Sequence, residues 1–452
     1  MRAIETLGSF WLPKNKKQKV RGKLIFTKEK GIALELEGVL IKTPDMPCDI
    51  VLGENSDGEK YTLITCYLNT WSTSISFRHS RQSKRTSLFA KQLLVGAHFN
   101  HMEALKFKSA KFRCSNLESW VSARNFEWDS LDRTAERLFS ITYGTKPYEP
   151  VIMRDKTKIG IMTEAPEMTH GRPIQWELSL VEKNFIVISP NRKEHLNKLL
   201  EEIYAMEFFL MLCIGEPQTL IEVILYQKND EFYYWEKLEL LFSPIQKDSK
   251  ALAVFEMLIS YPEISDKFEE VVQNWRNKYR EFRDIWNSFL SIHLQPNMFL
   301  EPRFLLLAQA LESYHRRKFD MDRGRQKAEC DRIIKAQTDK EIEKYLKQKL
   351  QYAHEPSFKE RFRDLIMRCP RLLYFRVLNH GTRMEEEDFL TQTKNARNYY
   401  THYDKKLTKK VPDFGVLVNI TGKLQLLMHY YILSELGFEE DWIIEKLSQK
   451  FR

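Results

Sequence analysis

Ala396-Arg397-Asn398-Tyr399-Tyr400-Thr401-His402-Tyr403-Asp404 is the stretch around which the rest of the chain is organised. It sets a guanidinium, whose rigid fork grips phosphate oxygens, beside an imidazole, which with an ordinary pKa of about 6.5 both takes and gives a proton. Metal-free phosphodiester cleavage needs a group that abstracts a hydroxyl proton, one that protonates the departing oxygen, and a fixed positive charge between them. The spacing alone is uninformative. With 29 Arg and eleven His in 452 residues, an Arg followed by four to six residues and a His should arise about twice by chance. It occurs once. The context carries the weight: Asn398 directly after the Arg, the tyrosine pair, the trailing Tyr403-Asp404, and the lysines 405, 406, 409 and 410 just beyond.

Helical periodicity surrounds this stretch. After about residue 245 apolar residues recur at three- and four-residue steps: Phe268, Val271, Val272, Trp275, Tyr279 and Phe282; then Phe304, Leu307, Ala308, Leu311 and Tyr314 behind Pro302. Phe358, Phe362, Leu365 and Ile366 mark another helix stopped by Pro370. Phe414 to Tyr431 form a long stripe between Pro412 and Gly437. The charged segment 324–353 reads as a solvent-facing helical pair. The pattern is a helical bundle with short connections.

The helix that carries the motif is expected to begin near Met384-Glu385-Glu386-Glu387, acids that suit a helix N-terminus. On an ideal helix five residues turn through about 500°, so Arg397 and His402 lie about 140° apart. Either the helix ends near Tyr400 and His402 bends back, or a second copy completes the site across a two-fold axis.

The first half reads differently. Ile32, Leu34 and Leu36 alternate with Ala33, Glu35 and Glu37 between two glycines, the signature of a half-buried strand. Gly22 to Thr27, Tyr61 to Tyr67, Ser74 to Phe77, Trp176 to Leu180 and Ile221 to Leu225 repeat the theme, and Asn55-Ser56-Asp57-Gly58 is a turn by its chemistry. The lysines from 14 to 23 suit a solvated hairpin edge. One helix interrupts, residues 192–213, amphipathic through Leu196, Leu199, Leu200, Ile203, Met206 and Leu210 and ended by Gly215. The aromatics of this half suit core packing better than a ligand cage.

The expected class is therefore α+β and multidomain: a β-rich region 1–245, divisible at about residue 125, with sandwich-like sheets and one covering helix; a linker 246–265; and an all-α bundle 266–452. Apolar residues at 43% supply cores for two or three domains. A formal charge of +9 fits a polyanionic partner but also plain solubility. Six cysteines with no C-x-x-C pair argue against a zinc site or a disulfide framework. Neither a secretory leader nor an apolar run of membrane-spanning length is read, so a cytoplasmic protein without membrane or cofactor is expected. No phosphate-binding glycine loop, H-E-x-x-H or G-x-S-x-G occurs, which leaves nucleotide hydrolases, zinc hydrolases and serine esterases without support.

The block Arg397-Asn398-x-x-x-His402, near the end of a helix in such a bundle, resembles the HEPN (higher eukaryotes and prokaryotes nucleotide-binding) family. Phe268 to Trp275, Phe304 to Arg317 and Asn395 to Asp404 are similar to the ApeA-type HEPN domain. Trp11-Leu12-Pro13, Gly22 to Phe26, Gly31 to Gly38, Gly53, Asp57-Gly58 and Tyr61 to Leu63 resemble the ApeA N-terminal domain. The resemblance implies a metal-independent endoribonuclease toxin of bacterial anti-phage defence, acting by abortive infection. It implies a homodimer or higher oligomer with facing motifs, an RNA substrate such as tRNA, and a phage-derived trigger. Arg397 and His402 are then catalytic, Arg397 holding the phosphate and His402 acting as acid or base. A surface Arg paired with Glu385 to Glu387, and a buried histidine, are the plainer alternatives. Asn398 orients a partner or caps the helix. Tyr403, with Tyr399 and Tyr400, stacks bases or packs, and Asp404 raises the His402 pKa or forms a turn. Lys405, Lys406, Lys409 and Lys410 suit an RNA backbone. Glu312 is carried over as a supporting residue. The competing reading is a non-catalytic RNA-binding or interaction module using the same pocket. A third, ligand sensing by the β-rich half, has no residues singled out for it.

Overall fold

The computed structural model describes residues 2–41, 47–76, 81–123, 125–132, 137–144, 147–170, 178–228, 235–242, 250–295, 297–319, 324–350, 355–378, 383–403 and 405–451. The chain forms two compact units, 1–269 and 270–452.

Six strands open the first unit: β1 (Ile4–Trp11), β2 (Val20–Thr27), β3 (Gly31–Leu36), β4 (Cys48–Asn55), β5 (Lys60–Ser76) and β6 (Arg81–Val95). All their pairings are antiparallel. In the order β6-β3-β2-β1-β4-β5, with β5 paired back onto β6, they close into a barrel rather than one layer of a sandwich. The long β5–β6 hairpin closes it, because β5 also takes β4 and β6 also takes β3. Alternate residues fill the interior: Phe10, Leu24, Phe26, Leu34, Val51, Leu63, Leu88 and Leu93 are all buried. Gly53 is required there, since a Cβ would stand 2.3 Å from the Phe10 ring. At the β4–β5 turn the Asn55 side chain accepts the amides of Asp57 and Glu59.

The sheet continues from β6. Two short strands, β7 (Lys106–Phe107) and β14 (Glu194–His195), pair with each other, as do β9 (Phe126–Asp132) and β10 (Arg137–Tyr143). The extension itself comprises β8 (Ser109–Cys114), β11 (Val151–Ile152), β12 (Lys158–His170), β13 (Leu178–Ser189), β15 (Leu220–Lys228) and β16 (Trp235–Phe242), in the order β16-β15-β8-β13-β12-β11. A short helix, α1 (Leu117–Val121), follows β8, and α2 (Leu196–Ile214) packs against β8 and β13, in a sheet where Phe112, Ile186, Ile188, Val223 and Leu225 are buried on one face. This is the expected covering helix. It ends at Gly215 with φ +83°, where a side chain would be strained.

Part of the expected linker is packed structure. Asn116 Oδ1 accepts the Leu252 amide, the Cys213 carbonyl accepts the Ile259 amide, and Trp120 Nε1 donates to the Ile259 carbonyl. The helix α3 (Tyr261–Ile264) follows with Ile264 buried. Apolar Leu252, Leu258, Ile259 and Ile264 within a polar stretch are what hold it to the first unit.

The remaining helices are α4 (Phe268–Leu294), α5 (Leu300–Lys318), α6 (Gly324–Lys335), α7 (Lys340–Leu350), α8 (Phe358–Met367), α9 (Arg371–Leu378), α10 (Arg383–His402), α11 (Phe414–Glu435) and α12 (Glu440–Lys450). The apolar stripes converge as their spacing requires. Phe304, Leu307 and Leu311 of α5, Phe362 and Leu365 of α8, Leu390 and Ala396 of α10 and Leu417, Leu424 and Leu427 of α11 are buried. Within α6 and α7 the described side chains are mostly exposed. Among the described residues no helix is long and apolar enough to cross a membrane, and no cysteine is in a disulfide.

Candidate functional site

Helix α10 is anchored at its start and along its body. Near its start Glu386 and Glu387 pair with Arg363 of α8, and Glu387 also takes Lys359. Further along, Thr393 and Ala396 are fully buried, Thr393 returning its hydroxyl to the Phe389 carbonyl. Arg397 is thus delivered to the face that meets α5 and α8.

There Arg397 Nη2 reaches Glu312 Oε2 of α5 at 3.5 Å, and Nη1 donates to Asn398 Oδ1 at 3.2 Å. The guanidinium carbon lies 5.8 Å from the centre of the Phe358 ring, within cation–π range. The alternative pairing with the acids of the first turn is not what forms, since Glu386 and Glu387 are committed to α8. Glu312 and Asn398 are therefore brought together with Arg397. The guanidinium is half-buried and oriented, and its further N–H groups bond to no described residue.

His402 is the last helical residue and is exposed, with no hydrogen bond or ion pair to a described residue. The helix does not break at Tyr400. It runs on through His402 and stops at Tyr403, whose φ of +49° is left-handed and whose amide returns to the Tyr399 carbonyl. Arg397 and His402 consequently keep the roughly 140° separation of an unbroken helix and do not share a face within one chain.

His402 instead lies about 60° around the axis from Tyr399. Tyr399, Tyr400 and Tyr403 form a ring cluster with centroids 5.2–6.4 Å apart. With Phe299, Pro302 and Val411 they line a cleft of about 560 Å³. Phe299 and Tyr403 are exposed. Burial, with Glu301 nearby, holds the Tyr400 phenol above its usual range. The four lysines occupy a 3-10 turn, Lys405–Lys410, rather than an irregular loop, and all four are exposed. Asp404 lies outside the described residues.

Beyond Glu312 runs a chain of charges that the sequence did not disclose. Arg316 joins Glu312 to Glu355, and Glu355 also meets Arg361. Arg361 Nη1 donates to His315 Nδ1 at 3.4 Å, and His315 Nε2 donates to Asp364 Oδ2 at 2.9 Å. His315 is fully buried, and burial lowers its pKa. Both ring nitrogens are satisfied by a neutral imidazole, so this histidine orients its neighbours. The i,i+4 step from Glu312 to Arg316 was readable in the sequence; the partners from α8 were not. Among the described residues no group of three His, Cys, Asp or Glu could hold a metal ion.

Residues 5–275 match the family described as ApeA N-terminal domain 1, and residues 305–442 match Apea-like HEPN. No curated protein and no solved structure matches the chain.

Proposed function

The chain belongs to the ApeA family, an ApeA N-terminal domain followed by an Apea-like HEPN domain, and on that premise we propose that it is a metal-independent endoribonuclease of bacterial anti-phage defence. HEPN domains are generally ribonucleases that bind RNA and dimerise. The observation that carries the reading here is the contrast along α10: Arg397 is held in place by Glu312 and Asn398, while His402, five residues on, stands exposed and unpartnered among the described residues.

Two copies facing each other supply what one lacks. His402 of one protomer takes the proton from an RNA 2′-hydroxyl, and the 2′ oxygen attacks the adjacent phosphorus. The P–O5′ bond breaks, and the partner's His402 returns a proton to the departing 5′ oxygen. Arg397 offsets the charge of the phosphorane. The products are a 2′,3′-cyclic phosphate and a 5′-hydroxyl. Tyr399, Tyr400 and Tyr403 accept a flanking base, and Lys405, Lys406, Lys409 and Lys410 follow the backbone. Residues 1 to about 245 hold this activity silent until a phage-derived trigger arrives.

The tyrosine cleft and the lysine turn would equally serve a module that only holds RNA. End-group analysis of cellular RNA incubated with the purified chain in a chelator separates the two. Cyclic phosphate and 5′-hydroxyl ends support the enzyme; bound but uncut RNA, with or without phage lysate, supports the module.

A further inference from the structure

The face of the extended sheet that α2 leaves uncovered holds a second cleft, of about 610 Å³, within the size range of small-ligand pockets. Strand alternation builds it. Ile159, Ile186, Phe112 and Val223 are buried on one side, so Lys158, Val187, Lys111 and Tyr226 gather on the other.

Four lysines line this cleft. Lys111 is only 2% exposed; its ammonium is paired with Glu164 and lies 4.2 Å from the centre of the Phe185 ring. Lys108 donates to the carbonyls of Pro190 and Asn191, at 3.2 and 2.9 Å. These are neutral partners, which hold the ammonium without cancelling its charge. Lys156 and Lys158 make no ion pair with any described residue. Lys156 sits in the turn between β11 and β12 with φ +62°, a conformation that a lysine adopts at a cost. At the cleft's other edge stand Tyr226 and Trp235, the indole 53% exposed.

Three ammonium groups that pair with no acid among the described residues, next to a solvent-facing indole and a phenol, ask for two things at once. The charges ask for a multiply charged anion, and the rings for a flat partner. We infer that this cleft binds a nucleotide, its phosphates against Lys108, Lys156 and Lys158 and its base against Trp235. A free nucleotide and the end of a nucleic-acid strand offer the same chemistry. The inference does not depend on any activity at α10.

Calorimetric titration of the full chain tests it, with ATP, a short oligodeoxyadenylate that carries no 2′-hydroxyl, pyrophosphate and adenosine as separate probes. ATP or the oligonucleotide is expected to saturate, with pyrophosphate and adenosine each about ten-fold weaker or worse. Lys156→Ala with Lys158→Ala, both on exposed side chains, should weaken binding about ten-fold, and Trp235→Ala about five-fold or more. Lys14→Ala with Lys16→Ala, on the exposed β1–β2 connection, should change nothing. Saturation by ATP alone identifies a free nucleotide, and by the oligonucleotide alone a strand. No binding of either, binding unchanged in the Lys156/Lys158 variant, or pyrophosphate as tight as ATP would each overturn it.

Discussion

The guanidinium of Arg397 lies 3.5 Å from the carboxylate of Glu312, across the line where α10 meets α5. Glu312 is the more buried of the two and is shared with Arg316 at 3.7 Å. A partly exposed pair of this kind adds little to stability, about 0–1 kcal/mol, but it removes rotamer freedom from a long side chain. Glu312→Gln should therefore leave the melting temperature within about 2 °C while lowering RNA cleavage about ten-fold. Calorimetry and a cleavage time course on one preparation measure both. A large fall in melting temperature would make Glu312 structural instead.

Tyr403 occupies left-handed backbone at φ +49° with its ring exposed. Glycine at this position relieves about 1 kcal/mol of strain and gives up little burial. Tyr403→Gly should raise the melting temperature by about 2–4 °C and weaken RNA binding about five-fold or more through the lost ring. Thermal unfolding and a filter-binding titration would show the two changes moving in opposite directions.

Glu435 is a structural hub of the helical unit. Its carboxylate accepts from the buried Tyr314 hydroxyl at 2.7 Å and pairs with Lys318 at 2.8 Å and Lys278 at 3.1 Å. Glu435→Ala strands a buried phenol and takes an acid from Lys318 and from Lys278, which keeps Glu281 at 2.9 Å, at a cost of about 2 kcal/mol. Tyr314→Phe, which leaves the ion pairs intact, should cost about 1 kcal/mol. Chemical denaturation of both variants tests the ratio.

The acid side of the stability profile should carry a histidine signature. Burial pushes the His429 pKa down to about 4, and burial lowers that of His315 as well. The unfolded chain then takes up protons that the folded chain refuses, so neither group costs anything above about pH 6.5 and stability falls as the pH drops toward 4. For His429 the loss is at most about 3 kcal/mol. Glu207 works in the opposite sense. Burial raises its pKa to about 8, so its support is complete below about pH 4.5 and is lost as the pH rises toward 8. Melting temperatures of wild type and His429→Leu across pH 4–8 should differ in slope on the acid side and run parallel above pH 7.

Much of this organisation could be read from the residues. The stripes at Leu196 to Leu210, Phe304 to Tyr314 and Leu417 to Tyr431 marked buried helix faces because three- and four-residue steps admit little else, while Phe414, read as the start of the last stripe, is exposed. Gly215 and Pro412 marked ends for similarly local reasons. Barrel closure was not legible, since it rests on β5 meeting both β4 and β6 and on β1 meeting β4, pairings that no local pattern encodes. Helices α9 and α12 are short and left weak stripes. At the site, Arg397, Asn398 and His402 stood out as a block, and the face problem between Arg397 and His402 followed from helix geometry alone. That the helix persists through His402 depends on Tyr403 accepting a left-handed conformation, which no tyrosine signals. The cleft of Lys108, Lys111, Lys156 and Lys158 was invisible because β12 and β8 become near neighbours only through β13.

The most direct test of the account compares wild type, Arg397→Ala and His402→Ala on cellular RNA in a chelator, with and without phage lysate, each variant first shown to melt as wild type does. Wild type should produce 2′,3′-cyclic phosphate and 5′-hydroxyl ends, and both variants should lose about a hundred-fold or more in rate. Cleavage by His402→Ala at the wild-type rate, or wild-type products ending in 5′-phosphate, would contradict the assignment.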